Sequence, residues 1–283
     1  MAIDTIAVIG SGTMGHGIAQ VAAQAGYTTF IYDIDEGRVR KAIDTIRDNL
    51  SKGVEKGKVE AGVRDATLAK LKGTANLKEA VASADLVIEA VPEQLDLKRK
   101  VFNDLDTVCK PGCIYASNTS SLSVSALADG VKRPAQFIGM HFFNPVHIMA
   151  LLEIVVAKQT SDATLAAAKE AGKRMGKECI VVKDSPGFAS SRLGIVLGLE
   201  AMRMFEQGVA SAEDIDKAME LGYRHPMGPL KLTDLVGLDV RLGIAEYLHR
   251  ELASEAFNPP KILRDMVAQG KLGKKSGQGF YKW

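Results

Sequence analysis

An apolar, β-rich run, TIAVIG, meets the turn Gly10-Ser11-Gly12-Thr13-Met14-Gly15, and that turn opens directly into the helical pattern MGHGIAQVAAQAG. The next β-rich run, TTFIYDID, carries Asp33 at its end. A strand, a three-glycine turn, a helix and an acid closing the following strand leave few folds open. Gly10 permits the tight turn, Gly12 lets the backbone approach a pyrophosphate, and Gly15 allows close packing of helix on strand. The helix N-terminus, with Thr13 and Met14 in its first turn, offers unpaired N–H groups and partial positive charge to phosphates. Asp33 is placed to accept hydrogen bonds from the adenosine ribose hydroxyls. A 2′-phosphate there would meet a carboxylate, so NAD is expected over NADP, a preference that Arg38 softens. FAD is a rival occupant, and a glycine-rich structural turn is the bland alternative. His16 is read as a side chain tolerated beside the turn.

Downstream, ADLVIEAVPE, GCIYASNTS, AQFIGMHFF, LLEIVVA and ECIVVKD read as further strands. A long polar helical segment runs from Glu36 to about Lys58, and LKRKVFNDLDTV reads as another helix. Nearly continuous apolar strands divided by helices predict a Rossmann-type α/β domain with a mostly parallel sheet covered on both faces. After DSPGF the pattern changes. FASSRLGIVLGLEAMRMFEQG, SAEDIDKAMELG (with Ser211 as N-cap), LTDLVGLDVRLGIAEYLHREL and PPKILRDMVAQG are all helical. The boundary is placed near Pro186, giving a nucleotide-binding domain over 1–186 and an all-α domain over 187–283. The helices carry many apolar residues for so small a domain, so dimerisation through them is expected.

Composition excludes several classes. A net charge of +2 without a basic block gives no reason to expect nucleic acid. No apolar run is long enough for a membrane span, and the N-terminus enters a strand without the segments of a signal peptide. Three cysteines, Cys109, Cys113 and Cys179, leave at least one unpaired and suggest a reducing cytosol. No Cys/His cluster supports a metal site.

His141 lies in FIGMHFFNPVHIM, at the carboxyl end of an apolar run that an Asn-Pro pair halts. Taken alone, it is either a hydrogen-bonded core histidine or a catalytic base. A second oddity is Glu153 in LLEIVVA, an acid set among apolar residues. A buried carboxylate is costly unless paired, and pairing it with the far nitrogen of the imidazole would account for both.

The segments VIGSGTMGHGIAQ, VIEAVPEQLDLK, SNTSSL, HFFNPV, DSPGF, HPMGPLKLTDLVGLD and GKKSGQGFYKW span the whole chain. In them it resembles the L-3-hydroxyacyl-CoA dehydrogenases, in particular the short bacterial 3-hydroxybutyryl-CoA dehydrogenases. The resemblance implies NAD-dependent, reversible conversion of an L-3-hydroxyacyl-CoA to the 3-ketoacyl-CoA. It also implies a Rossmann-type domain, a helical dimerisation domain and an active site between them. By motif, the catalytic histidine falls on His141, its carboxylate partner on Glu153 and the active-site serine on Ser120. Glu93, Lys98 and Asn118 would lie along the nicotinamide half of the cofactor, and Lys52 and Lys56 would contact the CoA moiety. One departure stands out: where the family has asparagine in a pattern like P-G-F-x-x-N-R, this chain has Ser191, a shorter side chain. His147 also differs from the usual residue and is given no role.

The chemistry suits these residues. Moving a hydride from a secondary alcohol to NAD requires the hydroxyl proton to depart, and imidazole is the base whose pKa lies nearest neutrality. Glu153 would fix the ring's tautomer and stabilise the imidazolium. Ser120 would align the substrate oxygen, although a helix-capping turn is the bland reading of SNTSS. On spacing alone, Lys52 and Lys56 could equally be a solvated helix end, and Glu93 and Lys98 a surface pair. His225, in HPMGP, reads as part of a rigid loop. Two rival functions stay open: a related dehydrogenase of a free hydroxy acid or sugar acid, and a non-catalytic NAD-binding protein on the same fold.

Overall fold

The computed structural model describes residues 2–283. They form two compact units, the first ending at Ser185 and the second beginning at Pro186.

The first unit is built on one eight-stranded sheet. In chain order the strands are β1 (Thr5–Ile9), β2 (Thr28–Tyr32), β3 (Leu71–Thr74), β4 (Leu86–Glu89), β5 (Ile114–Ser117), β6 (Phe137–Phe142), β7 (Leu151–Val156) and β8 (Glu178–Lys183). Their order across the sheet is β3-β2-β1-β4-β5-β6-β7-β8. Strand pairs are parallel except β6 with β7. The exception has a local cause. Only residues 143–150 separate β6 from β7, too few for the crossover that a parallel pair needs, so the chain turns back on itself. That reversal pairs His141 directly with Glu153.

The central strands β4, β5 and β6 are buried along their whole length. Ile6, Val8, Ile88, Ile114, Ile138 and Ile154 form the middle of the core. Truncating any one of them to alanine costs about 2–5 kcal/mol. Helices α1 (Thr13–Gln24), α2 (Glu36–Glu55), α3 (Ala61–Lys70), α4 (Leu77–Val81), α5 (Leu95–Val108), α6 (Val124–Ala128) and α7 (Asp162–Arg174) connect the strands. Helix α2 starts from an Asp35 cap and stops short of Lys58, the end that its polar pattern suggests. The stretch α3-β3-α4 carries no clear sequence signal, because β3 (LKGT) is a short edge strand with half of its residues exposed.

The second unit contains α8 (Ser190–Glu206), α9 (Ala212–Gly222), α10 (Pro229–Val236), α11 (Leu238–Leu252) and α12 (Lys261–Ala268). Ile195, Leu199, Met202, Ile215, Leu238 and Leu248 lie at its centre. Two buried acids organise the rest. Asp216 accepts the N–H groups of Leu230 and Lys231 at 2.8 and 2.9 Å, capping α10, and also the Tyr281 hydroxyl at 2.7 Å. Asp234 accepts from the backbone of Phe280 and Tyr281 and from the Trp283 indole, each at 2.9 Å. The tail GQGFYKW is thereby pinned to α10. Gly279 makes this possible, since a Cβ there would sit 2.1 Å from Asp234 Oδ1.

Candidate active site

The glycine turn joins β1 to α1. Gly10 holds φ +97°, and a Cβ on it would lie 2.7 Å from the Ala90 carbonyl oxygen. A Cβ on Gly15 would lie 1.7 Å from the Gly10 carbonyl oxygen. Gly12 differs: a Cβ there would meet nothing within 4 Å. It faces open space at the N-terminus of α1, where no side chain caps the helix, so the first-turn N–H groups remain available to an anion. Asp33 lies across the turn, its Oδ2 accepting from Ser11 N at 3.0 Å and Ser11 Oγ at 2.9 Å. Its Oδ1 has the exposed Arg38 guanidinium 3.9 Å away. The His16 ring, through Nδ1–H, donates to the Gly12 carbonyl at 2.9 Å and braces the turn. A cleft of about 1060 Å³ opens here, lined by Gly12, Thr13, Met14, Asp33, Val91 and Val101 among others. Bare backbone at a helix N-terminus, a carboxylate at the second strand's end and an apolar cleft fit a dinucleotide.

Beside the turn, at the carboxyl end of β4, Glu89 is fully buried and Lys98, on α5, is 1% exposed. Lys98 Nζ donates to Glu89 Oε1 at 2.6 Å and lies 3.3 Å from Glu93 Oε2. Ser117 Oγ donates to Glu89 Oε2 at 2.6 Å, and Val91 N to Oε1 at 2.7 Å. Burial pushes the Glu89 carboxyl up, with the Lys98 charge opposing it. At Glu93 burial also acts upward, but Lys98 and the bonds from Thr119, Ser120 and Ser121 prevail and hold the carboxyl below its usual range. Those bonds converge on Oε1: Thr119 Oγ1 at 2.6 Å, Ser120 N at 2.9 Å, and Ser121 N and Oγ both at 3.0 Å. The turn SNTSS is thus wrapped around one carboxylate oxygen, with the exposed Ser120 at its surface. Lys98 is no surface partner of Glu93; it is the buried cation that holds two acids together.

Next in the sheet, β6 carries His141, 6% exposed, and β7 carries Glu153, wholly buried. His141 Nδ1 and Glu153 Oε2 are 2.7 Å apart. With Nδ1–H donating to the carboxylate, the basic lone pair sits on Nε2. Asn118 ties the neighbouring strands together: its N–H donates to the Glu89 carbonyl at 2.8 Å, and its Oδ1 accepts from Phe142 N at 2.9 Å. Lys177, buried near the start of β8, donates to the carbonyls of Val146 and Met149 and fixes the loop that follows His141. Nearby, burial, with His16 and Lys177 acting the same way, keeps the His147 ring's pKa down. The glycine turn, the Glu89–Lys98–Glu93 chain, Ser120 and the His141–Glu153 pair therefore gather at the carboxyl ends of β1, β4, β5 and β6. That is the edge where open α/β sheets hold ligands.

Residues 5–185 match the family model described as the 3-hydroxyacyl-CoA dehydrogenase NAD binding domain, and residues 187–283 match the C-terminal domain of the same family. The chain belongs to the 3-hydroxyacyl-CoA dehydrogenase family. It is an NAD-dependent oxidoreductase. A probable 3-hydroxybutyryl-CoA dehydrogenase of Deinococcus radiodurans is 44% identical, covering 98% of this chain and 99% of its own. A 3-hydroxybutyryl-CoA dehydrogenase of Bradyrhizobium diazoefficiens is 41% identical over 99% of this chain and 96% of its own. Among solved structures, the (S)-3-hydroxybutyryl-CoA dehydrogenase of Ralstonia eutropha superposes with a TM-score of 0.96 at 41% identity, covering 100% of this chain and 99% of that one.

Lys52 and Lys56, which the sequence singles out in this dehydrogenase, are not among the residues bonded into the cluster. Lys52 lies in the last turn of α2, and Lys56 is the residue that caps it; both are exposed. Ser191 lies in the first turn of α8, in the helical unit. Three residues that the sequence does not single out prove structural to the site. Glu89 is concealed inside an apolar strand, and Lys177 reads as an ordinary surface lysine. Asp184, in DSPGF, accepts from Ser123 Oγ, Val124 N and Ser125 N at 2.8, 3.1 and 2.8 Å, capping α6 behind the SNTSS turn. The one available signal is the acid within VIEAVPE, where burial demands a partner such as the lysine nine positions on.

Proposed function

We propose that this chain catalyses the reversible oxidation of a short-chain L-3-hydroxyacyl-CoA, with 3-hydroxybutyryl-CoA and acetoacetyl-CoA as the reference pair. The observation that carries the reading is the His141–Glu153 pair, 2.7 Å apart at the same strand edge as the glycine turn. Bound NAD supplies the acceptor for the hydride that leaves C3. The chain does the rest. Gly12 and the first turn of α1 hold the pyrophosphate, and Asp33 holds the adenosine ribose. His141 Nε2 takes the hydroxyl proton, and Glu153, already bonded to Nδ1–H, stabilises the imidazolium that forms. In the reverse direction the same nitrogen returns the proton to the ketone oxygen. Ser120 aligns the substrate oxygen, while Glu93 and Asn118 shape the nicotinamide end and Lys98 holds Glu93 in place. Ser191 keeps the substrate-holding role that the resemblance gives its position, and Lys52 and Lys56 meet the CoA phosphates.

Among the described residues no helix is long and apolar enough to cross a membrane, and we place the protein in the cytoplasm. Exposed apolar side chains on α10 and α11, namely Leu232, Leu235, Val236 and Val240, support a homodimer through the helical unit.

The test is spectrophotometric. NADH oxidation is followed with acetoacetyl-CoA, with free acetoacetate, and with NADPH in place of NADH. Preference for the thioester and for NADH is expected. Equal rates with the free acid would favour a hydroxy-acid dehydrogenase instead, and no turnover with any substrate would leave a cofactor-binding protein.

A further inference from the structure

Two groups compete for the carboxylate of Asp33. One is Ser11, the residue between the first two glycines of the turn, only 7% exposed. Its N–H and its hydroxyl both donate to Oδ2, at 3.0 and 2.9 Å. The other is Arg38, in the first turn of α2. The Arg38 backbone N–H donates to Asp35 Oδ1 at 2.8 Å and fixes the root of the side chain. Its guanidinium makes no hydrogen bond among the described residues. It stands 3.9 Å from Asp33 Oδ1, too far for one. The Arg38 side chain is 70% exposed, so it has room to swing. Ser11, Asp33 and Arg38 all line the cleft at the glycine turn, so the contest takes place on the cleft wall.

The valence of the carboxylate explains why the ion pair stays open. Each carboxylate oxygen has two lone pairs. Ser11 fills both of those on Oδ2, and Oδ1 accepts no hydrogen bond among the described residues. The strong form of an arginine–carboxylate pair is two-pronged and needs both oxygens. With Oδ2 held, Arg38 is limited to a single-point, solvent-exposed contact with Oδ1, which contributes little. Two bonds to a charged acceptor outweigh it. Removing the hydroxyl changes the balance. The backbone N–H alone then holds Oδ2, and the carboxylate is free to turn both oxygens to the guanidinium. A ligand hydroxyl must break that pair before it can bond to Oδ1.

We propose that Ser11 is a positioning residue for the cofactor. By occupying Oδ2 it denies Arg38 a two-pronged ion pair with Asp33, and so keeps Oδ1 free for the hydroxyls of the adenosine ribose. Ser11 acts through Asp33, and the inference rests on the reading above in which Asp33 holds that ribose.

The experiment is a double-mutant cycle on binding, using the full chain. The Kd for NADH is measured by fluorescence titration. That for ADP-ribose, which has the adenosine ribose and the pyrophosphate but no nicotinamide, is measured by calorimetry. Ser11→Ala raises both by about tenfold, the scale of one charge-assisted hydrogen bond. In an Arg38→Ala background the same substitution raises them by about twofold or less, because the competitor is gone. A loss confined to the hydroxyl's effect on the turn would be the same in both backgrounds, so equal penalties overturn the inference. So does Ser11→Ala binding both ligands as tightly as wild type. Asp33→Ala separates this from the reading beneath it. If Asp33→Ala weakens both ligands while Ser11→Ala does not, only the role of Ser11 fails. If Asp33→Ala binds both as tightly as wild type, the ribose reading of Asp33 fails and takes the inference with it.

Discussion

His141 and Glu153 face each other across the one antiparallel step in the sheet, with Nδ1 and Oε2 2.7 Å apart and Glu153 wholly buried. If this carboxylate orients and charges the base, Glu153→Gln lowers kcat by about 10²–10⁴-fold, the usual worth of positioned acid–base catalysis. His141→Gln lowers it at least as far. Neither group lines the cleft at the glycine turn, so NADH titration by fluorescence is expected to give unchanged affinity in both variants. A His141→Gln protein with near-normal kcat would remove the imidazole from the reaction.

Glu93 is the post to which the SNTSS turn is tied. Glu93→Gln exchanges one acceptor oxygen for an amide that serves fewer donors and takes the charge away from Lys98. The turn then loosens, and the alignment of Ser120 with it. KM for acetoacetyl-CoA rises and kcat falls, by about tenfold together, a loss on the scale of one charge-assisted bond. Stability changes with pH in a definite sense. The folded-state pKa lies below the ordinary value of 4.5, so the ionised carboxylate stabilises the fold above 4.5. That contribution is lost as pH falls from 4.5 through the depressed value. The urea midpoint of wild type exceeds that of Glu93→Gln at pH 7, and the gap narrows at pH 3.5. A gap that widened on acidification would contradict this account.

Much of this arrangement is legible in the chain itself. The glycine turn, the buried strands and the change to helices after DSPGF follow from residue periodicity and turn chemistry. His141 and Glu153 can be paired because each is anomalous in its own strand. Other features are not legible, for identifiable reasons. The antiparallel step depends on the length of the loop 143–150, and both flanking strands look alike in composition. Lys98 reads as a surface residue because nothing local announces that its ammonium is drawn inward by Glu89, nine positions earlier. Lys177 and Asp184 act on backbone groups far away in sequence, which no local pattern encodes. β3 is short, polar and at the edge, so it lacks the apolar run that marks the other strands.

On the proposed reading, Asp33 sets the choice between NADH and NADPH. Its Oδ2 is engaged by Ser11, and Arg38 is 3.9 Å from its Oδ1. Asp33→Ala removes the carboxylate that repels a 2′-phosphate and leaves Arg38 to attract it. KM for NADH rises, KM for NADPH falls, and the ratio between the two cofactors shifts by about tenfold or more, on the scale of one charge contact. Steady-state kinetics with both cofactors checks this. An unchanged ratio would move the ribose contact elsewhere.

Of the four bonds from the tail of the helical unit to buried carboxylates, three go to Asp234 and one to Asp216, and this makes a stability prediction independent of catalysis. Asp234 Oδ1 and Oδ2 together accept three bonds from Phe280, Tyr281 and Trp283, all at 2.9 Å. Gly279→Ala would drive a methyl group to 2.1 Å from Oδ1, so the tail must move and break at least one bond. Overpacking of this kind costs about 1–3 kcal/mol, and a bond to a charged group that is broken in the process contributes on the same scale. Asp234→Ala removes both acceptor oxygens, and with them all three bonds, and leaves donors unpaired, so its loss is larger than that of Gly279→Ala. Thermal unfolding followed by Trp283 fluorescence reads both effects, since the indole is one of the groups released. Gly279→Ala with an unchanged transition and unchanged Trp283 emission would show that the tail does not depend on this contact.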